Sequence, residues 1–252
     1  MSRLGLCSAV SISVGIAGSL GCCCPARFAP PPVVVQAPPV VVAQPPKDQA
    51  VANNEVELKK LIAQNLGPNN QAGSLAPNSP FWAKLKKIVA AKQYVTWKAI
   101  GPGLDNRPFS DIHPDGGVLI GFLVATDNGE HVAFLQPIYL TNQGEKVGQA
   151  IGRPHQPAKC IKAKAGYAVG GANLRIGLIM DAMTVVFMKV EGERLNLKDQ
   201  YTSAQVGGMG GAEESFVTNG PMLIGFHGKQ NERDNFSPAG APNSLGFVLM
   251  PQ

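Results

Sequence analysis

The residues whose types and spacing come nearest to a reactive cluster are Asp111, His113 and Asp115, in Ser110-Asp-Ile-His-Pro-Asp115. In an extended strand alternate side chains face one way, so two carboxylates and an imidazole would gather as oxygen and nitrogen ligands for a divalent metal. Pro114 and Gly116 favour a turn through the same residues, which would separate the three side chains. Cys160 lies between Lys159 and Ile161, with His155 the histidine nearest in sequence. A nucleophilic thiol wants a histidine and a group that orients it, and without the latter Cys160 reads as a small packed residue. Glu213 and Glu214 are adjacent, so in a strand they would face opposite sides rather than act as a pair. His131, His155 and His227 are isolated, and the chain carries no Gly-x-Ser-x-Gly elbow, His-Glu-x-x-His helix or phosphate-binding glycine loop. These patterns predict no catalytic residues, no bound metal and no cofactor; a metal-dependent enzyme would require His113 and its acids to converge with further ligands.

The elements that would position such residues begin after an unusual amino terminus. Between Arg3 and Arg27 no charged residue occurs, and Leu4, Leu6, Val10, Ile12, Val14, Ile16 and Leu20 are diluted by Gly and Ser. A short positive region, an apolar stretch and small residues read as an export segment over residues 1–28. Ser19-Leu20-Gly21-Cys22 resembles a lipoprotein processing site with its leucine one place closer to the cysteine, making Cys22 a candidate for lipidation. Four of the five cysteines lie in this segment, so the body has no second thiol with which to close a disulfide. Residues 29–53 hold the proline pairs and valine triplets of Ala29–Pro46, which predict an extended spacer.

Residues 54–93 read as a helical neck. Asn54 and Glu57 have capping-box spacing ahead of Leu58, Leu61 and Ile62, with Gly67-Pro68 as the stop. Ser79 caps a second helix over Pro80–Lys92, where Phe81, Leu85, Ile88 and Val89 form one stripe. Phe81 and Trp82 are expected to dock this helix on the domain beyond it.

From Tyr94 to Gln252 the pattern changes to short apolar runs between glycine turns. The chain has 29 Gly and 21 Pro, with charged residues at only 15%, a composition that suits many turns and a β-rich body. Strands are expected at Val118–Val124, Val132–Thr141, Lys159–Lys164, Ala172–Ile176, Met183–Val190, Met222–His227 and Leu245–Met250. A net charge of +5 is scattered singly or in pairs, which argues against a nucleic-acid partner. Leu119-Ile-Gly-Phe122 returns as Leu223-Ile-Gly-Phe226, each followed by a second apolar run, and a middle section holds Gly166-Tyr-Ala-Val-Gly170 and Met183-Thr-Val-Val-Phe187. Three similar four-strand units around an axis would bury three apolar faces against one another.

Gly207-Gly-Met-Gly-Gly211, Gly177-Leu-Ile-Met-Asp181 with the adjoining Ala-Met-Thr-Val-Val-Phe, Ile224-Gly-Phe-His-Gly228 and Ser244-Leu-Gly-Phe-Val-Leu249 together resemble the jacalin-related lectins. Gly101-Pro-Gly-Leu-Asp-Asn-Arg-Pro-Phe109 resembles that family's opening glycine loop. The resemblance implies an all-β fold, a β-prism of three four-stranded Greek-key sheets over residues 94–252. It also implies sugar binding by an aspartate closing a Gly-x-x-x-Asp loop, with backbone N–H groups and a neighbouring glycine loop. Carried onto this chain, those are Gly177 and Asp181 with Gly207, Gly208, Gly210 and Gly211. A weaker second match is Gly240-Ala-Pro-Asn243, one residue shorter and ending in asparagine, which makes Gly240 and Asn243 secondary candidates. In the first section the matching place is read as Phe134, where no acid stands.

The expectation is an exported protein of the cell envelope or extracellular space, lipid-anchored if Cys22 is processed, that binds a glycan or surface polysaccharide without catalysis. The alternative is an envelope structural module that binds a protein partner through the same prism.

Overall fold

The computed structural model describes residues 47–102, 107–232 and 238–252. The export segment, Cys22, the Pro/Val repeats up to residue 46 and residues 103–106 of the opening glycine loop lie outside them. Helix α1 spans Lys47–Asn65 and α2 spans Pro80–Ala90, with one 3-10 turn at Gly73–Leu75 between them. The strands come next as β1 (Val95–Thr96), β2 (Arg107–Ile112), β3 (Val118–Asp127), β4 (His131–Thr141), β5 (Gly144–Val147), β6 (Ile151–Gly152) and β7 (Lys159–Lys162). The remainder are β8 (Tyr167–Ile176), β9 (Met180–Glu191), β10 (Arg194–Thr202), β11 (Val206–Gly207), β12 (Ala212–Val217), β13 (Leu223–Gln230) and β14 (Pro242–Leu249).

The strands form three antiparallel sheets. The first has order β1-β14-β13-β2, the second β5-β4-β3-β7 with β6 on β4, and the third β10-β9-β8-β12 with β11 on β9. In the second and third sheets three successive strands are joined in line and a fourth returns beside the first of them, the Greek-key order. The first sheet has the same spatial order assembled from both ends of the domain, because β1 and β2 flank the β13–β14 hairpin. The fold is therefore a β-prism, and the expected three four-stranded Greek-key sheets are present.

The repeated Leu-Ile-Gly-Phe motif has a structural cause. Pairing slips by one residue between Leu119 and Gly121 in β3, Val169 and Gly171 in β8, and Leu223 and Gly225 in β13. At each slip the returning edge strand crosses directly over the glycine. A Cβ on Gly121 would fall on the Ile161 carbonyl oxygen, on Gly171 on that of Phe216, and on Gly225 at 2.6 Å from that of Asp111. The motif marks a bulge plus a close backbone approach, made once in each sheet.

Phe122, Phe187, Phe226 and Phe247, with Leu119, Leu135, Val169, Met183 and Leu223, join all three sheets in one buried cluster. A second cluster packs Leu75, Phe81, Trp82, Leu85 and Ile88 against Leu123, Ala125, Phe134 and Ile138, and Leu58, Leu61 and Ile62 of α1 lie on it. The neck thus covers the second sheet, whose strands β3 and β4 are buried almost throughout and read as continuous apolar runs. At the end of α1, Lys162 donates to the Asn65 carbonyl and pairs with Glu145 at 2.9 Å, while Glu145 Oε2 also accepts from Gly67 N–H at 3.0 Å.

Two details of the neck differ in outcome. The first helix starts at Lys47, inside the stretch read as spacer, so Asn54 and Glu57 lie within it and form no capping box. The second helix begins where expected: Ser79 Oγ accepts from Phe81 N–H at 3.2 Å, Pro80 takes the first turn and Phe81 and Trp82 are buried. Trp82 Nε1 donates to the Ala76 carbonyl at 2.8 Å, which satisfies its one polar atom. Ser79→Ala should lower stability by about 1 kcal/mol through loss of this cap, read from the urea midpoint.

Candidate functional site

Asp181 is the second residue of β9, just after the β8–β9 turn, which Gly177 closes by donating its N–H to the Ile179 carbonyl at 3.0 Å. Opposite it runs the glycine loop after β11. Gly207 has φ of 108°, and a Cβ there would strike the Asp181 carbonyl oxygen. The Gly208 N–H is shared between the carbonyls of Asp181 at 3.0 Å and Glu130 at 2.9 Å. Cβ atoms on Gly210 and Gly211 would come within 2.9 Å of Asp181 Oδ1 and 2.6 Å of Oδ2. Glycine at these places lets main chain lie against a carboxylate where side chains would fill the space. The structure thus brings Gly177, Asp181, Gly207, Gly208, Gly210 and Gly211 together around one recessed carboxylate, whose side chain is 10% exposed.

Two residues of this site were not anticipated. His131, at the start of β4 in the neighbouring sheet, places Nδ1 3.0 Å from Asp181 Oδ1. An ionised carboxylate only accepts, so the imidazole is the donor. Its Nε2 is 3.9 Å from Glu130 Oε2. Arg175 in β8 donates from Nε to the Gly210 carbonyl at 2.8 Å and from Nη2 to that of Gly211 at 3.1 Å, and pairs with Glu213 at 2.6 Å. The guanidinium therefore clamps the glycine loop from outside. Leu178 and Met209 stand exposed on the two loops, while Ile179 and Met180 are buried. The rim is aliphatic, with no ring among these residues to stack on a pyranose.

The threefold arrangement allows the two other sheets to be compared at this position. Gly207 pairs with Ala182 and Gly152 with Phe134, and Ile100 bridges Leu245 as Val206 pairs with Met183. Asp181 therefore corresponds to Ala133 in the second sheet and Asn243 in the first. The sequence reading that put Phe134 at this place was one residue out, since the glycine, not the preceding loop, fixes the register. Asn243 is 1% exposed, and its Oδ1 finds no hydrogen-bond partner among the described residues. Gly240, with φ of 87°, donates its N–H to the Asn231 carbonyl at 2.7 Å and lies against Gly152. Of the three positions, the third sheet alone has an acid.

Asp111, His113 and Asp115 do not converge. Strand β2 ends at Ile112 and gives way to a turn, with Gly116 N–H donating to the His113 carbonyl at 2.9 Å. Asp111 Oδ2 accepts from Gln149 N–H at 3.1 Å and Asp115 pairs with Lys86 at 2.6 Å. Among the described residues no three His, Cys, Asp or Glu side chains are grouped as metal ligands would be. Burial holds His113 below its ordinary value of 6.5, assisted by Lys146 and opposed by Asp115 and Asp111. The unfolded chain then takes up the proton first, so the stability given by neutral His113 is complete above pH 6.5 and is lost as pH falls towards its lowered folded value. His113→Gln should accordingly lose less stability than the unaltered protein between about pH 7.5 and 5, measured by urea midpoints. Cys160, in β7, is a half-buried free thiol packed against the core, and burial pushes it above its ordinary range.

No protein-family model matches the chain, and no curated protein matches it in sequence. Solved structures with a similar course of chain include the Malaysian banana lectin, at 11% identity and a TM-score of 0.45, covering 63% of this chain and 99% of that one. A mannose-binding jacalin-related lectin from Ananas comosus matches at 14% identity and a TM-score of 0.47, with 63% and 99% covered. Single-chain recombinant jacalin matches at 16% and 0.45, with 63% and 95% covered. These are distant likenesses to jacalin-related lectins, and the β-prism assignment stands on this chain's own strand order.

Proposed function

We propose that this protein binds carbohydrate without catalysing a reaction, holding a glycan at Asp181 between the Gly177–Asp181 turn and the Gly207–Gly211 loop. The observation that supports this reading is the carboxylate itself: one acid, at the end of one sheet, walled by glycines that leave main chain rather than side chains beside it. A carboxylate accepts two hydroxyl donors, and main-chain N–H groups supply the complementary donors that a vicinal diol needs. The export-like pattern of residues 1–28 and the Pro/Val spacer support placing this domain at the cell envelope or outside the cell, with Cys22 as the lipid attachment point.

A second reading has its own support. Asp181 already accepts from His131 and is largely covered, which is what a carboxylate that merely joins two sheets would look like. On that reading the prism is an envelope scaffold that binds protein.

A shallow single site predicts dissociation constants of about a millimolar to a micromolar, or roughly 4 to 8 kcal/mol. Binding of the purified protein to a panel of immobilised glycans tests the proposal. Saturable binding to a defined subset is the expected result, whereas a folded protein that binds none and instead captures an envelope protein would support the scaffold.

A further inference from the structure

The outer faces of the three sheets are not alike. Helices α1 and α2 cover that of the second sheet, and every residue of β14 in the first sheet is buried. The third sheet instead presents a polar outer surface at its Asp181 end, while Ala168, Val186 and Met188 further along join the cluster under the helices. Its register sets Ser215, Asn173 and Thr184 side by side across β12, β8 and β9, with Glu213, Arg175 and Ala182 as the adjoining row. With Gln205 these residues line an open groove of about 540 Å³. That lies within the span of about 300–1,000 Å³ usual for sites that take small ligands.

Groove and carboxylate site share a wall. Arg175 lines the groove and holds the Gly210 and Gly211 carbonyls, and Gln205 lines it and donates to the Gly208 carbonyl at 2.9 Å. The groove therefore lies beside the glycine loop that walls Asp181. Its chemistry selects the occupant. Asn173, Thr184 and Ser215 offer a carboxamide and two hydroxyls with no hydrogen bond to any described residue. Arg175 is already paired with Glu213, so an anionic chain would meet no unpaired cation among the groove's lining residues. No aromatic residue lines the groove, and methionine and leucine contribute one residue each among ten.

Building on the carbohydrate reading, we propose that this groove is a second subsite, which takes the next units of a neutral, hydroxyl-rich oligosaccharide whose end lies at Asp181. Asn173, Thr184 and Ser215 hydrogen-bond the hydroxyls of those units and set the preference for chain length.

The test is calorimetric titration of the full-length protein with the mono-, di- and trisaccharides of the manno, gluco and galacto series. A trisaccharide should bind about 10-fold more tightly than its monosaccharide, the gain expected from one net hydrogen bond or two. Asn173→Ala with Thr184→Val should abolish that gain and leave the monosaccharide unaffected, and the exposed Ser215→Ala should reduce it while disturbing the fold least. Asp181→Ala should weaken all three sugars. Equal affinity for mono- and trisaccharide, or a gain that survives the double change, overturns the subsite and leaves the Asp181 reading standing. A folded protein that binds none of these sugars overturns both.

Discussion

Gly121→Ala should destabilise the protein by about 3 kcal/mol or more, at the upper end of what overpacking costs, because the added methyl meets backbone rather than a side chain that can turn away. Its Cβ would fall on the Ile161 carbonyl oxygen and within 2.9 Å of the Lys162 Cα. Relief would require β7 to lift off β3, opening the edge of the second sheet along the pairs Gly121–Lys162 to Val124–Lys159. Gly171→Ala and Gly225→Ala should act alike in their own sheets, since β12 and β2 cross them in the same manner. Gly67→Ala is the control: nothing lies within 4 Å of its Cβ position, and the change should cost no more than about 0.5 kcal/mol. Urea unfolding of the four variants measures this. If Gly121→Ala and Gly67→Ala had the same midpoint, the motif would not mark a bulge under a crossing strand.

The second large effect is on binding. Asp181→Asn keeps the shape of the side chain and an oxygen that can accept from His131, but loses the charge and half the acceptor capacity. Hydrogen bonds to charged groups contribute about 1.5–3 kcal/mol, so glycan affinity should fall about 10- to 100-fold. The two readings of Asp181 separate here. A ligand-holding aspartate predicts this loss with an unfolding midpoint close to that of the unaltered protein. An aspartate that only ties β9 to His131 predicts a shifted midpoint and no specific effect on sugar.

The repeat was legible because a bulge under a crossing strand demands glycine each time, and in β3 and β13 the flanking residues are also the same, Ile before and Phe after, whereas β8 has Gly170-Gly171-Ala172. Helix α2 was legible for a similar reason, as Ser79, Pro80 and the apolar stripe all report on short-range geometry. Edge strands were not. Strand β12, Ala212–Val217, is exposed at every position but Phe216, and β2 is buried only at Phe109, so neither shows the alternation that marks a half-buried strand. The start of α1 was hidden because no Ser, Thr, Asp or Asn stands directly ahead of Lys47, which follows proline in the sequence. In the candidate site, the glycines and Asp181 could be read from local motifs. His131 and Arg175 could not, because their roles arise between strands: His131 reaches Asp181 from another sheet, and Arg175 reaches a loop 35 residues further along the chain. The shift from Phe134 to Ala133 has the same origin, since only pairing with Gly152 reveals which residue stands where Asp181 stands.

The most direct measurement of the central claim is a backbone amide resonance titration of the isotope-labelled protein with the sugar selected by the glycan panel. The account predicts saturable shifts centred on Gly177–Asp181 and Gly207–Gly211, with smaller shifts at His131. Shifts centred instead on Gly240–Asn243, or on the turn from His113 to Gly116, would contradict it.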